Sequence, residues 1–242
     1  LETPVKTSWL QSQTLIVALA IVSILLGMLP LVHYLFIPFD FFTTLIHEGA
    51  HAVASLIMGE QVARIVINPD TSGYMQHTVT GGRFAQGFIA SAGYLGAALF
   101  GALMIVGSAR PKLARVVLIG LGIIFILTVV LYIRDFFSLL IAGGWAVVLV
   151  ALAVKASDAF AFFSVNFLAV QCGLNSVRDV FTLVRLSLGA PKSQYSLGHS
   201  DADTVAGLFW LPAIVWALLW VGLSILILFT AMKKSAVMRR SG

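Results

Sequence analysis

The stretch "FFTTLIHEGAHAVASLIMG", Phe41 to Gly59, is apolar and long enough for a helix, yet it carries two histidines and a glutamate at its centre. Helical residues four apart lie about 40° apart around the axis and one turn along it. The imidazoles of His47 and His51 can therefore converge on one zinc ion. Glu48 sits beside the first of them, where it can act on metal-bound water without being a ligand. At this composition an H-E-x-x-H pattern arises by chance about four times in a thousand. Ionisable groups at mid-membrane depth cost a few kcal/mol each, so an idle trio would be a large burden on the helix. Asp40, Thr44, His47, His51 and Ser55 fall on one helical stripe, and that stripe should face a protein interior rather than lipid.

The sequence around this helix is that of a membrane protein. Apolar residues make up 60% and charged residues 10% of 242, and mean hydropathy is +1.00. That leaves too little charge for the surface of a soluble domain. The expected location is a multi-pass position in the cell (plasma) membrane, with the lipid bilayer as partner. The +5 net charge is ordinary for such a chain, and no basic cluster is interleaved with aromatics, so nucleic acid is not an expected partner. Cys172 is the single cysteine, which excludes intramolecular disulfides and multi-thiolate zinc sites.

Runs long enough to cross the hydrocarbon layer number about seven: Thr14–Phe36, Phe39–Met58, Phe84–Ser108, Leu113–Ile133, Phe137–Val154, Ala156–Ser187 and Asp201–Met232. The first is read as a retained transmembrane helix. The expected fold is an all-α polytopic bundle forming one transmembrane domain over residues 1–242. One insertion, at about 60–82, departs from it. There "QVARIVINPD" alternates β-branched residues, "NPDTSG" supplies turn chemistry, and "YMQHTV" resumes an extended pattern, which predicts a β-hairpin. Its exposed edge could hold a peptide by strand addition. In the third span, "ASAGYLGAALFG" brings Gly93, Gly96, Ala97 and Gly101 close together, a pattern suited to tight helix packing.

A catalytic zinc site usually has three protein ligands. Gln171, Asn175, Asp179 and Thr182 form a second polar stripe on the sixth span. His51 and Asp179 both lie near the ends of even-numbered spans, so both would sit roughly 12 Å inside the same membrane face. Asp179 is accordingly the expected third ligand. Asp201 and Asp203 compete, but "SDAD" begins a helix, and a capping box from Ser200 to Asp203 would account for them.

These residues resemble the site-2 protease family, the intramembrane zinc metalloproteases. "HEGAHAVASLIMGEQVARIVINPDTSG" is similar to that family's H-E-x-x-H helix followed by a hairpin. "ASAGYLGA" resembles its A-G-P-L-x-N helix, with Tyr94 where proline is usual. "LNSVRD" resembles the segment that supplies the third ligand, with Val180 where glycine usually follows. The last helices look like a short branch of the family. The resemblance implies hydrolysis of peptide bonds in a membrane protein substrate, a single-pass helix or peptide. Zinc would be held by His47, His51 and Asp179, Glu48 would act as the catalytic general base, and Asn175 would hydrogen-bond the substrate backbone. The competing reading is a non-catalytic metal-binding scaffold or an assembly subunit of a larger membrane complex.

Overall fold

Pro38 in the first turn of the helix that carries the histidines leaves no backbone donor wasted, since the first N–H groups of a helix lack internal partners. In the computed structural model, which describes residues 9–27, 34–187 and 200–240, this helix spans Ile37–Ile57. It is α2, preceded by α1 (Trp9–Gly27). It stops at Gly59, whose φ of 79° suits glycine, and the Gly59 and Glu60 amides donate to the Leu56 and Ser55 carbonyls. Strands β1 (Val62–Ile67) and β2 (Gly73–His77) follow. The remaining helices are α3 (Arg83–Gly107), α4 (Pro111–Tyr132), α5 (Phe136–Lys155), α6 (Asp158–Ser187), α7 (Asp201–Leu208) and α8 (Ala213–Arg240).

Among the described residues four segments are long and apolar enough to cross a membrane: Arg83–Gly107, Lys112–Tyr132, Phe136–Lys155 and Ala213–Met238. The expectation of seven spans is therefore not recovered among the described residues, and three features account for the difference. The polar stripe of α2 lowers its hydropathy, although its length would suffice. The apolar parts of α1 and α6 within the described residues, Ile16–Leu26 and Asp158–Leu174, are shorter. The expected last span is broken into α7 and α8 at Phe209–Pro212. Phe209 is extended at φ −130°, ψ 164°, and Pro212 disfavours helical geometry in the residue before it.

The α2 helix lies at the centre of the packing. Phe42, Leu45 and Ile46 are buried in a core shared with Ile105 of α3, Leu118 of α4, Leu149 of α5 and Val165 of α6. Its contact with α3 depends on small residues. A Cβ on Gly96 would stand 2.5 Å from Ala50 Cβ, so only glycine permits this crossing. On α4 and α8, by contrast, residues such as Ile123, Val130, Leu218 and Leu226 are exposed, as lipid-facing side chains should be. Arg115 of α4 closes the far end of the bundle: its guanidinium donates to the Ala153 and Ala156 carbonyls and to Asp158.

The predicted hairpin is present as an antiparallel pair with Ile65 opposite Met75 and Ile67 opposite Gly73, and with an irregularity between Val62 and Arg64. It is tied to the helices at three points. Thr44 donates its hydroxyl to the Thr71 carbonyl at 2.7 Å, the Ile67 amide donates to Ser138 Oγ at 2.8 Å, and Glu60 clamps the return. The Glu60 carboxylate accepts from Thr78 Oγ1 (2.7 Å), Thr80 N (2.9 Å) and Gly81 N (2.6 Å). These donors, the Thr78 hydroxyl foremost, hold its carboxyl down at about 2.

Candidate metal centre

The i, i+4 spacing of α2 does what helical geometry requires: His47 Nε2 and His51 Nε2 point at each other across 3.0 Å. A third atom completes the group. Asp201 Oδ2, from the first turn of α7, lies 2.9 Å from His47 Nε2 and 3.2 Å from His51 Nε2. His51 Nδ1 donates to the Ile89 carbonyl at 2.7 Å. Since a carbonyl can only accept, this contact puts the proton on Nδ1 and leaves the Nε2 lone pair facing the other two atoms.

With Nδ1 protonated, His51 Nε2 is an acceptor like Asp201 Oδ2, and a cation held by all three atoms would satisfy them together. Zinc bonds of 2.0–2.2 Å in a tetrahedron separate ligand atoms by about 3.3 Å, close to the three distances found. Space for an ion is also kept open. A Cβ on Gly93 of α3 would come within 2.3 Å of His47 Nε2 and 2.5 Å of His51 Nε2. The donor set and the clearance both fit a metal, and His47, His51 and Asp201 can hold one.

Glu48 is buried beside this triangle, outside the ligand set. The backbone N–H of Met75 faces its carboxylate. The ladder explains why that amide is free to do so. The Ile67 N–H leaves the hairpin for Ser138, so the Ile67–Gly73 pair exchanges no ladder bonds. Antiparallel pairs alternate, so the Ile65–Met75 pair two residues on exchanges none either, and the Met75 N–H points outward from β2.

A helix carrying H-E-x-x-H, a hairpin directly after it, and a carboxylate brought to both histidines from a distant helix thus meet in one place. The sequence profile of the family described as peptidase M50B-like matches residues 14–231. The chain belongs to that family. Comparison with curated proteins and with solved structures finds no match. The peptidase M50B-like assignment bears out the site-2 protease resemblance, and with four described helices long and apolar enough to cross a membrane it makes the chain an integral membrane protein of a metallopeptidase family.

Against this family background, the sequence reading divides. His47, Glu48 and His51 stand together as the motif implies. The backbone of Asn175 and Asp179 belongs to α6, but their side chains lie outside the described residues. His33 and His199 lie outside them entirely, and His77 ends β2 apart from the cluster. Asp201 corrects the expectation that helix capping accounts for both aspartates of "SDAD". The capping box exists, with Ser200 and Asp203 as its two members. Asp201 takes no part in it and faces the histidines. The signal available in the sequence was that a capping box uses one acidic residue, which leaves the other to be explained. Gly93 has a second role beyond close packing: it clears the space between the imidazoles.

Proposed function

We propose that the chain is a zinc metallopeptidase of the site-2 protease type that cleaves single-pass or peptide substrates embedded in the cell (plasma) membrane. In this reading one transmembrane unit carries both the bundle and the hairpin. The observation that supports it most is the triangle of His47 Nε2, His51 Nε2 and Asp201 Oδ2, with sides of 2.9–3.2 Å, beside a buried glutamate that is not a ligand. Asp201 takes the ligand role that the sequence reading gives to Asp179. Asn175 remains the proposed contact to the substrate backbone.

Zinc held there would supply Lewis acidity and bring water closer to ionisation at neutral pH. The chain's own groups do the rest. Glu48 accepts the proton of the attacking water and delivers it to the leaving amine. Burial keeps bulk water from competing for that proton. The outer edge of β2 passes Glu48 at Met75, so a substrate segment added as a further strand would run alongside the general base. A helical substrate must unwind to do this, because its backbone groups are otherwise engaged in their own ladder.

Metal analysis of the purified protein tests the siting. About one zinc per chain is expected for the wild type and for Asp179→Ala, with stoichiometric zinc lost in His47→Ala, His51→Ala and Asp201→Ala, since two ligands rarely hold zinc tightly. Zinc retained in Asp201→Ala and lost in Asp179→Ala would return the third ligand to α6.

A further inference from the structure

The two histidines of the site are held in different ways. His51 is oriented by its hydrogen bond to the Ile89 carbonyl. His47 Nδ1 is buried and has no hydrogen-bond partner among the described residues. Its ring packs edge to face against two others: the fellow ligand His51, centroids 4.7 Å apart, and Tyr94, centroids 5.0 Å apart and planes at 78°. Tyr94 is in turn stacked on Trp220 of α8, centroids 4.6 Å apart and 22° between planes.

These aromatics belong to a cluster of their own, apart from the main core. Ala90 and Tyr94 of α3, Ala202 and Val205 of α7, and Ala217 and Trp220 of α8 pack together. The cluster therefore holds α7, and with it Asp201, against the helix that also presents Gly93 to the imidazoles. Gly93 and Tyr94 are consecutive on α3: one clears the ion's space, and the other closes the side of His47.

We infer that Tyr94, backed by Trp220, is a positioning residue for the metal centre, fixing the His47 ring by aromatic packing where a metal-bound histidine ordinarily relies on a hydrogen bond at its second nitrogen. The inference rests on the metal reading of the site. The physical basis is ligand preorganisation. A ring free to rotate about χ2 must lose that freedom on binding, and loss of an outer contact to a ligand typically costs about 10–100-fold in metal affinity. Edge-to-face packing defines an orientation, which an aliphatic side chain of similar volume does not.

The test is Zn²⁺ affinity of the full-length protein in detergent, by competition with a chelator, together with the visible spectrum of the Co²⁺-substituted form. Tyr94→Leu should weaken Zn²⁺ about tenfold or more and broaden or shift the Co²⁺ bands, because the ligand field at His47 is no longer single-valued. Tyr94→Phe keeps the ring and should stay within about threefold of wild type. Trp220→Phe thins the stack while leaving an aromatic, and should give a smaller loss in the same direction. If Tyr94→Leu does not fold, Trp220→Phe alone decides. Wild-type affinity and spectrum in the variants that fold would overturn the inference, and so would Tyr94→Phe losing as much as Tyr94→Leu. His47→Ala separates the two levels of argument. If it binds Zn²⁺ as wild type does, the metal siting itself fails. If it loses the metal while Tyr94→Leu keeps it, the positioning role alone fails.

Discussion

Helices α2 and α4 have nearly the same length, 21 and 22 residues, and face opposite problems. The apolar window of α4 is 28% buried, so most of it is open to lipid, and beyond Arg115 it carries no charge. Residues of α2 are largely enclosed by α3, α6 and the hairpin, and it carries Asp40, His47, Glu48 and His51. Hydropathy finds the first kind of helix because lipid demands apolar residues all round. It passes over the second because a helix shielded by its neighbours is free to carry chemistry. In this protein a helix that hydropathy passes over carries both histidines and the glutamate of the site.

The comparison would break if the chemistry did not depend on α2. Glu48 adds no ligand, so Glu48→Gln should keep zinc, fold and insertion, and glutamine has nearly the same helix propensity. An amide cannot take up the water proton, and loss of a general base typically costs about a hundred- to ten-thousandfold in rate. Turnover of a candidate single-pass substrate, with zinc content measured in parallel, reads this directly. A mutant as fast as wild type would remove Glu48 from the mechanism. Absence of any cleavage by the wild type, with the same partner proteins bound by both forms, would favour the scaffold reading.

The opposite substitution examines α4. Ile123, about half exposed, lies near the middle of that helix. Lysine in place of this isoleucine should disfavour membrane insertion by about 3–4 kcal/mol on a translocon scale. Insertion measured by glycosylation mapping should fall, while any chain that does insert should still bind zinc. An unchanged insertion efficiency would mean that this face is covered by protein rather than lipid.

Gly93→Ala probes the seam between the two kinds of helix. Alanine is worth about 1 kcal/mol more than glycine in a helix interior, so α3 itself should not suffer. The added methyl would enter the space between His47 Nε2 and His51 Nε2. Zinc affinity should fall at least about tenfold. Full zinc binding would show that the imidazoles can retreat, and that the clearance at Gly93 serves packing alone.

How much of this was legible in the sequence depended on the range of the interactions. The histidine pair is a local fact of helical spacing, and "NPDTSG" marks a turn whatever surrounds it, so both were readable. Asp201 was not, because its distance to His47 is set by how α7 docks on α3 through Ala202 and Val205, contacts over a hundred residues from α2. The local capping signal of Ser200 and Asp203 accounts for the start of α7 without Asp201. The break at Pro212 was hidden for a related reason: "FWLP" carries no charge, so an apolar run averaged over the length of a span continues through it.

The smallest expected effect concerns the hairpin and needs no metal. Glu60 lies just beyond α2 and ties Thr78, Thr80 and Gly81 back to the helix end. Its carboxyl titrates near 4.5 when free and at about 2 in the fold. The folded state therefore binds the proton less readily than the unfolded one. The stabilisation is fully present above 4.5 and is lost as pH falls from there through about 2. Protection of the Thr80 and Gly81 amides against hydrogen exchange, corrected for the intrinsic pH dependence of exchange, should decline over that window in the metal-free protein. Glu60→Gln should show reduced protection already at pH 7 and little further change on acidification. Its uncharged amide oxygen is a weaker acceptor for these donors and has no charge to lose. Amides inside α4 should be indifferent to both treatments, which separates release of the clamp from general acid unfolding. Equal protection of Thr80 and Gly81 in the wild type and Glu60→Gln at pH 7 would show that the Thr78–Gln61 bonds alone hold the hairpin's return.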